Sequence, residues 1–277
     1  MRHRLLMLAF VTALTVGAAS AQPLTLRYNP QPGQKWCEKL AGDVTDVAMQ
    51  GQSVGIPGCA TADVVAEVAS ADAEAKTVQL KLTLSNIAAS LNGQDSRPNG
   101  SQALAVQVDQ LGSMSTTDPA AQTGLSFLET GAIPLQIINV LAHTVRFSEK
   151  PVSKDDEWTI EDHYTFPDFG KVPISTRWKF LSCEGKLVTL GSTAVAALPN
   201  FKAPNPFAPG TEMDIQNVKV TLTDTKQEYD TECSRVTKAE GALRIDGVAM
   251  TQGMQIPLAV CLKYTLQPAE PPKEPAR

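Results

Sequence analysis

The chain has 277 residues, a formal net charge of −5 and 43% hydrophobic side chains. Setting aside Arg2 and Arg4, which belong to an N-terminal leader, leaves 22 basic against 29 acidic side chains, a balance of −7. Such a surface repels nucleic acid, and no stretch of 18 consecutive apolar residues follows the leader, so no membrane-spanning helix is expected.

Arg2, His3 and Arg4 precede an apolar run over 5–16, and small residues then lead to Ala19-Ser20-Ala21. That order predicts a secretory signal peptide, residues 1–21, cleaved after Ala21. Gln22 rather than a cysteine becomes the new N-terminus, so no lipid anchor is expected and the product is periplasmic or extracellular. About 256 residues remain, enough for one large β domain or two smaller ones.

Alternation with period two is the dominant pattern. Leu24, Leu26 and Tyr28 begin it. Val78, Leu80, Leu82 and Leu84 face one way while Gln79, Lys81, Thr83 and Ser85 face the other. The same reading fits Leu104, Val106 and Val108; Ile174, Thr176, Trp178 and Phe180; Val218, Val220 and Leu222; and Ile256, Leu258, Val260, Leu262, Tyr264 and Leu266. One-sided burial predicts antiparallel sheets, half-barrel or sandwich-like. Asn92-Gly93, Pro98-Asn99-Gly100, Glu184-Gly185 and Asp246-Gly247 supply hairpin turns.

The fold class is therefore mainly β, with a short helical segment at about 118–144. Asp118-Pro119 starts one helix, and Pro134 opens a second running to about Thr144. On the second, Ile133, Ile137, Ile138 and Leu141 line an apolar side, while Gln136, Asn139 and His143 recur on the other. Residues 199–210 hold four prolines and read as a surface loop, and 268–277 as a disordered Pro-rich tail. Leu26-Arg27-Tyr28 before Pro30, Pro32 and Trp36 is echoed by Val145-Arg146-Phe147 before Pro151 and Trp158. Two related β halves, 22–117 and 145–267, joined by the helical connector 118–144, are one expectation; a single domain is the other.

Cys37, Cys59, Cys183, Cys233 and Cys261 all follow the leader, where an oxidising compartment favours disulfides. Their wide spacing disfavours zinc. The expected bridges lie within each half, Cys37 to Cys59, and Cys233 to Cys261 or to Cys183, with one cysteine left over.

The run FSEKPVSKDDEW over 147–158 resembles a motif of exported bacterial proteins of unknown function, F-P-x-x-P-V-x-x-G-D-x-W, with Ser148 and Asp155 in place of the proline and glycine. Tyr28-Asn29-Pro30 through Gly33-Gln34-Lys35-Trp36 is similar to the first strand and turn of those proteins. The resemblance implies a β-rich envelope or secreted domain and supplies no catalytic residues. Physically the motif reads as a turn that delivers Trp158 into a core. Strands followed by a covering apolar helix resemble, at the level of architecture alone, periplasmic lipoprotein carriers.

Gly51-Gln52-Ser53-Val54-Gly55 fits the G-x-S-x-G pattern of a hydrolase nucleophile, but Ile56-Pro57-Gly58 forbids the helix that must follow, so a hairpin tip is expected. His163 stands among Asp155, Asp156, Glu157, Glu161 and Asp162. Alternation puts Trp158, Ile160, Tyr164 and Phe166 inward and leaves Glu161 and His163 facing solvent. Asn99-Gly100-Ser101 is treated as a turn. No cofactor motif is present.

The functional expectation is a non-enzymatic exported domain that binds a hydrophobic ligand or an envelope protein, with Ile133, Ile137, Ile138 and Leu141 as ligand-facing candidates. The alternatives are a structural or adhesion module of the envelope, and a hydrolase-type enzyme using His163 with Glu161 or Asp162.

Overall fold

The computed structural model describes residues 23–97, 100–115, 135–166, 170–204, 211–251 and 253–270. Among the described residues, fourteen strands and one short helix make up the regular structure. In chain order the strands are β1 (Lys35–Met49), β2 (Gln52–Ser53), β3 (Gly58–Asp72), β4 (Thr77–Leu91), β5 (Gln94–Ser96), β6 (Gln102–Asp109) and β7 (Met114–Ser115). After the helix α1 (Leu135–His143) come β8 (Glu157–Phe166), β9 (Gly170–Glu184), β10 (Leu187–Leu198), β11 (Phe201–Pro204), β12 (Glu212–Asp230), β13 (Arg235–Thr251) and β14 (Met254–Pro268).

All of them belong to one antiparallel sheet in the order β7-β6-β4-β3-β1-β14-β13-β12-β10-β9-β8, with β2, β5 and β11 added beside β1, β4 and β12. The first and last long strands meet at its centre, where Leu40 lies opposite Leu266 and Val44 opposite Leu262. The order runs outward from there to β7 on one side and β8 on the other, and the sheet does not close. Alternation explains why one face is buried: Val64, Ala66 and Val68 on β3, Leu80, Leu82 and Leu84 on β4, and Val188 and Leu190 on β10 all point into a single apolar core. Because inner faces from β6 to β9 share that core with α1, the sheet is curled around the helix.

Helix α1 is described over Leu135–His143, and Thr144 closes its last turn by donating its N–H to the Val140 carbonyl at 2.9 Å. The expected polar side of the helix is not solvated. Asn139 and His143 are as buried as Ile137, Ile138 and Val140, because the sheet wraps more than one side of the helix. A helix of nine residues is marginal by itself and depends on this enclosure.

Several other expectations change. Leu24, Leu26 and Tyr28 form no strand; Leu24 makes one bridge to Val152, while Leu26 and Tyr28 are buried in irregular backbone. That backbone is satisfied piecemeal, with Tyr28 N–H donating to Gln110 and the Arg27 guanidinium donating to the carbonyls of Leu26, Ser148 and Glu149. Asp246-Gly247 is not a turn but the middle of β13, where Gly247 leaves room for the Val218 side chain on β12. The proline-rich loop contains a short edge strand, β11, whose Phe201 packs on the core. Pro268 is the last residue of β14, opposite Glu38, so the tail begins later than composition implied.

The expected disulfides are absent. Cys37, Cys59, Cys183, Cys233 and Cys261 are all free thiols. Cys59 pairs with Asp43 rather than Cys37, which puts six residues, about 20 Å of strand, between the two cysteines. Cys261 lies opposite Arg244 on β13, far along that strand from Cys233 before its start. Asp118-Pro119, Ile133 and residues 271–277 lie outside the described residues. No helix of the described residues is long and apolar enough to cross a membrane.

Candidate functional site

The inner face carries its most unusual chemistry at the C-terminal end of α1. Glu38 occupies an inward position of β1 between Trp36 and Leu40, and its Oε2 lies 2.7 Å from His143 Nε2. Both side chains are almost wholly buried, at 2% and 3% exposure. His143 Nδ1 lies 2.8 Å from the Asn139 carbonyl, which can only accept, so Nδ1 carries a proton and donates it. The remaining proton of the pair sits between Nε2 and the Glu38 carboxylate. Burial by itself lowers the His143 pKa, but the charge and hydrogen bond of Glu38 outweigh it, and the net direction is upward from 6.5. Tyr28 lies close enough to feel the Glu38 charge, and burial is the larger cause that pushes its phenol far above the ordinary range.

Gln227 on β12 holds the same end of the helix. Its Nε2 donates to the carbonyls of Leu141, Ala142 and Thr144 at 3.1, 3.0 and 2.8 Å, which occupies the acceptors a helix end leaves open. Two close approaches need glycine. A Cβ on Gly112, at φ +81°, would stand 1.7 Å from the Val145 carbonyl oxygen, and one on Gly241 would stand 2.8 Å from the Tyr264 ring.

Of the ligand-facing candidates, Ile137 and Ile138 are buried in the core. Leu141 is half-buried and borders a cavity of about 40 Å³ between helix and sheet, together with Ile160, Ile174, Trp178 and Leu222. At the end of the sheet carrying β2 and β11, the inner face stays aliphatic but its burial fades. Val220, Ile245, Val260 and Val47 stand side by side across β12, β13, β14 and β1. Leu258 lies opposite Met49, and Ile256 opposite Ala249. Ile245, Ile256, Leu258, Val260, Val47 and Met49 are all half-buried, in contrast to Leu262 and Leu266 further along β14.

The acid-rich segment around His163 is not brought together as a catalytic group. His163 and Glu161 are exposed on β8, and Glu161 accepts a hydrogen bond from Ser175 at 2.6 Å. Asp162 turns the other way and pairs with Arg146. Among the described residues no group of three or more metal-ligating side chains converges. Ser53 sits in the two-residue strand β2, after a turn with positive φ at Gln50 and Gly51, and donates to Asp46 at 2.6 Å. It is a hairpin tip with no helix behind it. In the 147–158 run, Phe147 is buried against Tyr229, Trp158 Nε1 donates to the Arg146 carbonyl, and Asp155 takes φ +71°, a conformation glycine adopts without strain.

Sequence reasoning placed His143 only on the polar side of the helix and missed its partner. The available signal was Glu38 itself, an acid in phase with Trp36 and Leu40 on a buried face, where a carboxylate survives only with a partner. Neither a family model nor a curated protein matches the chain.

Proposed function

We propose that this is an exported, non-enzymatic domain that binds a hydrophobic ligand on the inner face of its curled sheet. The observation that carries the reading is the half-buried aliphatic surface made by Val47, Val220, Ile245, Ile256, Leu258 and Val260. Its members come from four adjacent strands, and none carries a hydrogen-bonding group. Such a surface selects apolar chains over polar ligands, because burying a polar ligand group against it leaves that group unsatisfied. The tight packing of α1 favours this end of the sheet for the ligand, since the cavity beside Leu141 has room for no more than about one water.

The test is native mass spectrometry and solvent extraction of the full chain purified from its own host. A bound apolar molecule is expected, and the double variant Leu258→Asp with Val260→Asp is expected to lose it while the circular dichroism spectrum stays that of a β protein. A protein that emerges empty from its host, and that fails to quench or enhance an added apolar fluorophore, sinks the reading.

A further inference from the structure

On the opposite, outer face lies an open depression of about 710 Å³ over β9, β10, β12, β13 and β14, within the size range of small-ligand sites. The hydrogen-bond register slips at three places around it, between Thr189 and Leu190, between Ser192 and Ala194, and between Thr223 and Lys226. Such bulges bend a sheet locally. Glu157, Lys179, Gly191, Lys226, Glu240 and Thr265 stand in one continuous row across six strands. A neighbouring row runs from Arg177 past Thr193 and Asp224 to Ala242 and Lys263.

We propose that this depression binds an acidic oligosaccharide, a chain bearing carboxylates with hydroxyl donors between them. Four cations gather in one hollow of an acidic protein. Lys179 and Lys226 have only exposed acidic partners at 3.2 to 4.0 Å, Asp155 and Glu157 for the first and Glu240 for the second, and exposed pairs of this kind exchange at little cost. The side chains of Arg177 and Lys263 have no ion-pair or hydrogen-bond partner among the described residues. The cations stand on β9, β12 and β14, two strands apart each time, which spaces them by about 10 Å across the strands; only Arg177 and Lys179, both on β9, stand at the ~7 Å at which an extended peptide repeats its same-side groups. The wider cross-strand spacing suits the same-side carboxylates of an extended uronic-acid chain, which fall on alternate sugars and so repeat with each disaccharide.

Asp224 decides the chemistry further. It projects from a bulge at φ +51°, exposed, in the midst of these cations and with no partner of its own among the described residues. A carboxylate there repels a plain polyanion but accepts hydrogen bonds from sugar hydroxyls. Leu181, Ala242 and the aliphatic stems of the lysines give the floor an apolar component for the C–H faces of sugar rings.

The experiment is calorimetric titration of the full chain with a galacturonate hexasaccharide, and in parallel with maltohexaose, hexaglutamate and inorganic phosphate, at low and high salt. Salt-sensitive binding of the galacturonate alone is expected, weakened about tenfold by Arg177→Ala, by Lys263→Ala and by Asp224→Gly. Glycine is chosen at 224 because it keeps the backbone conformation, and unchanged melting temperatures show that all three variants fold. Absence of galacturonate binding overturns the proposal. So does equal binding of maltohexaose, or binding of hexaglutamate or phosphate that Asp224→Gly strengthens, the mark of an unselective polyanion surface.

Discussion

Glu38 and His143 show how two residues 105 positions apart in the chain become one unit. Each is unaffordable alone in an apolar interior, and together they carry no net charge whichever of them holds the shared proton. Removing either partner leaves the other buried and unpaired, so His143→Ala and Glu38→Ala are each expected to cost about 3–5 kcal/mol in urea unfolding. The pH dependence is more specific. In the native pair the His143 pKa is raised, so its stabilisation is complete below the ordinary value of 6.5 and is lost as pH rises through the folded value. Glu38→Gln keeps the size and can donate a hydrogen bond to a neutral His143 Nε2. It removes the charge that outweighed burial, so the folded pKa falls below 6.5 and the stabilisation is instead lost on acidification through that value. Unfolding midpoints measured from pH 5 to pH 9 are therefore expected to slope in opposite senses for the two proteins, and parallel slopes refute the assignment.

At the scale of elements, α1 is the piece with the least stability of its own, since it has nine residues and no acidic side chain in its first turn. Its C-terminal carbonyls rest on Gln227, the side chain of another element. Gln227→Ala is expected to destabilise by about 1–3 kcal/mol, the cost of stranding buried acceptors. Amide exchange should accelerate first at Ala142, His143 and Thr144, and a variant whose exchange rises uniformly over the sheet counts against the cap. The helix was legible from Pro134 and the spacing of Ile137, Ile138 and Leu141, as were β4, β6, β9 and β14 from their alternation. Their periodicity is strong because one face is buried and the other wet. Leu24 to Tyr28 has the same alternation without a ladder, because its hydrogen bonds go to scattered loop groups that no period records. Asp246-Gly247 misleads for the reverse reason: its glycine serves a close approach by Val218, and the turn is made at Gly253. Glu38 was readable only as an anomaly, and its partner depends on a pairing that sequence spacing does not encode.

For the whole molecule, the decisive fact is that β1 and β14 are neighbours. The strand made first completes its pairing only when the last has emerged, so the sheet rests on contacts of long sequence separation, a topology that folds slowly. The same arrangement governs the cysteines. With β1 central, Cys59 on β3 lies beside Asp43 and Cys261 on β14 lies beside Asp46, so these two thiols are separated by the full width of β1. That distance is about 10 Å between strand axes, beyond the ~7 Å Cα separation a disulfide tolerates. Cys37 is held six residues further along β1 than the partner of Cys59, and joining the two means sliding β3 past β1 and breaking every pair from Lys35 to Val44. Alkylation of the purified chain under denaturing, non-reducing conditions, followed by peptide mapping, is therefore expected to find Cys37, Cys59 and Cys261 unlinked to one another. Thermal unfolding should be unchanged by dithiothreitol, because no cross-link restrains the unfolded chain. A Cys37 to Cys59 peptide in the map requires a different β1 to β3 register, and with it a different inner face, and a melting temperature that falls several degrees on reduction overturns the free-thiol assignment.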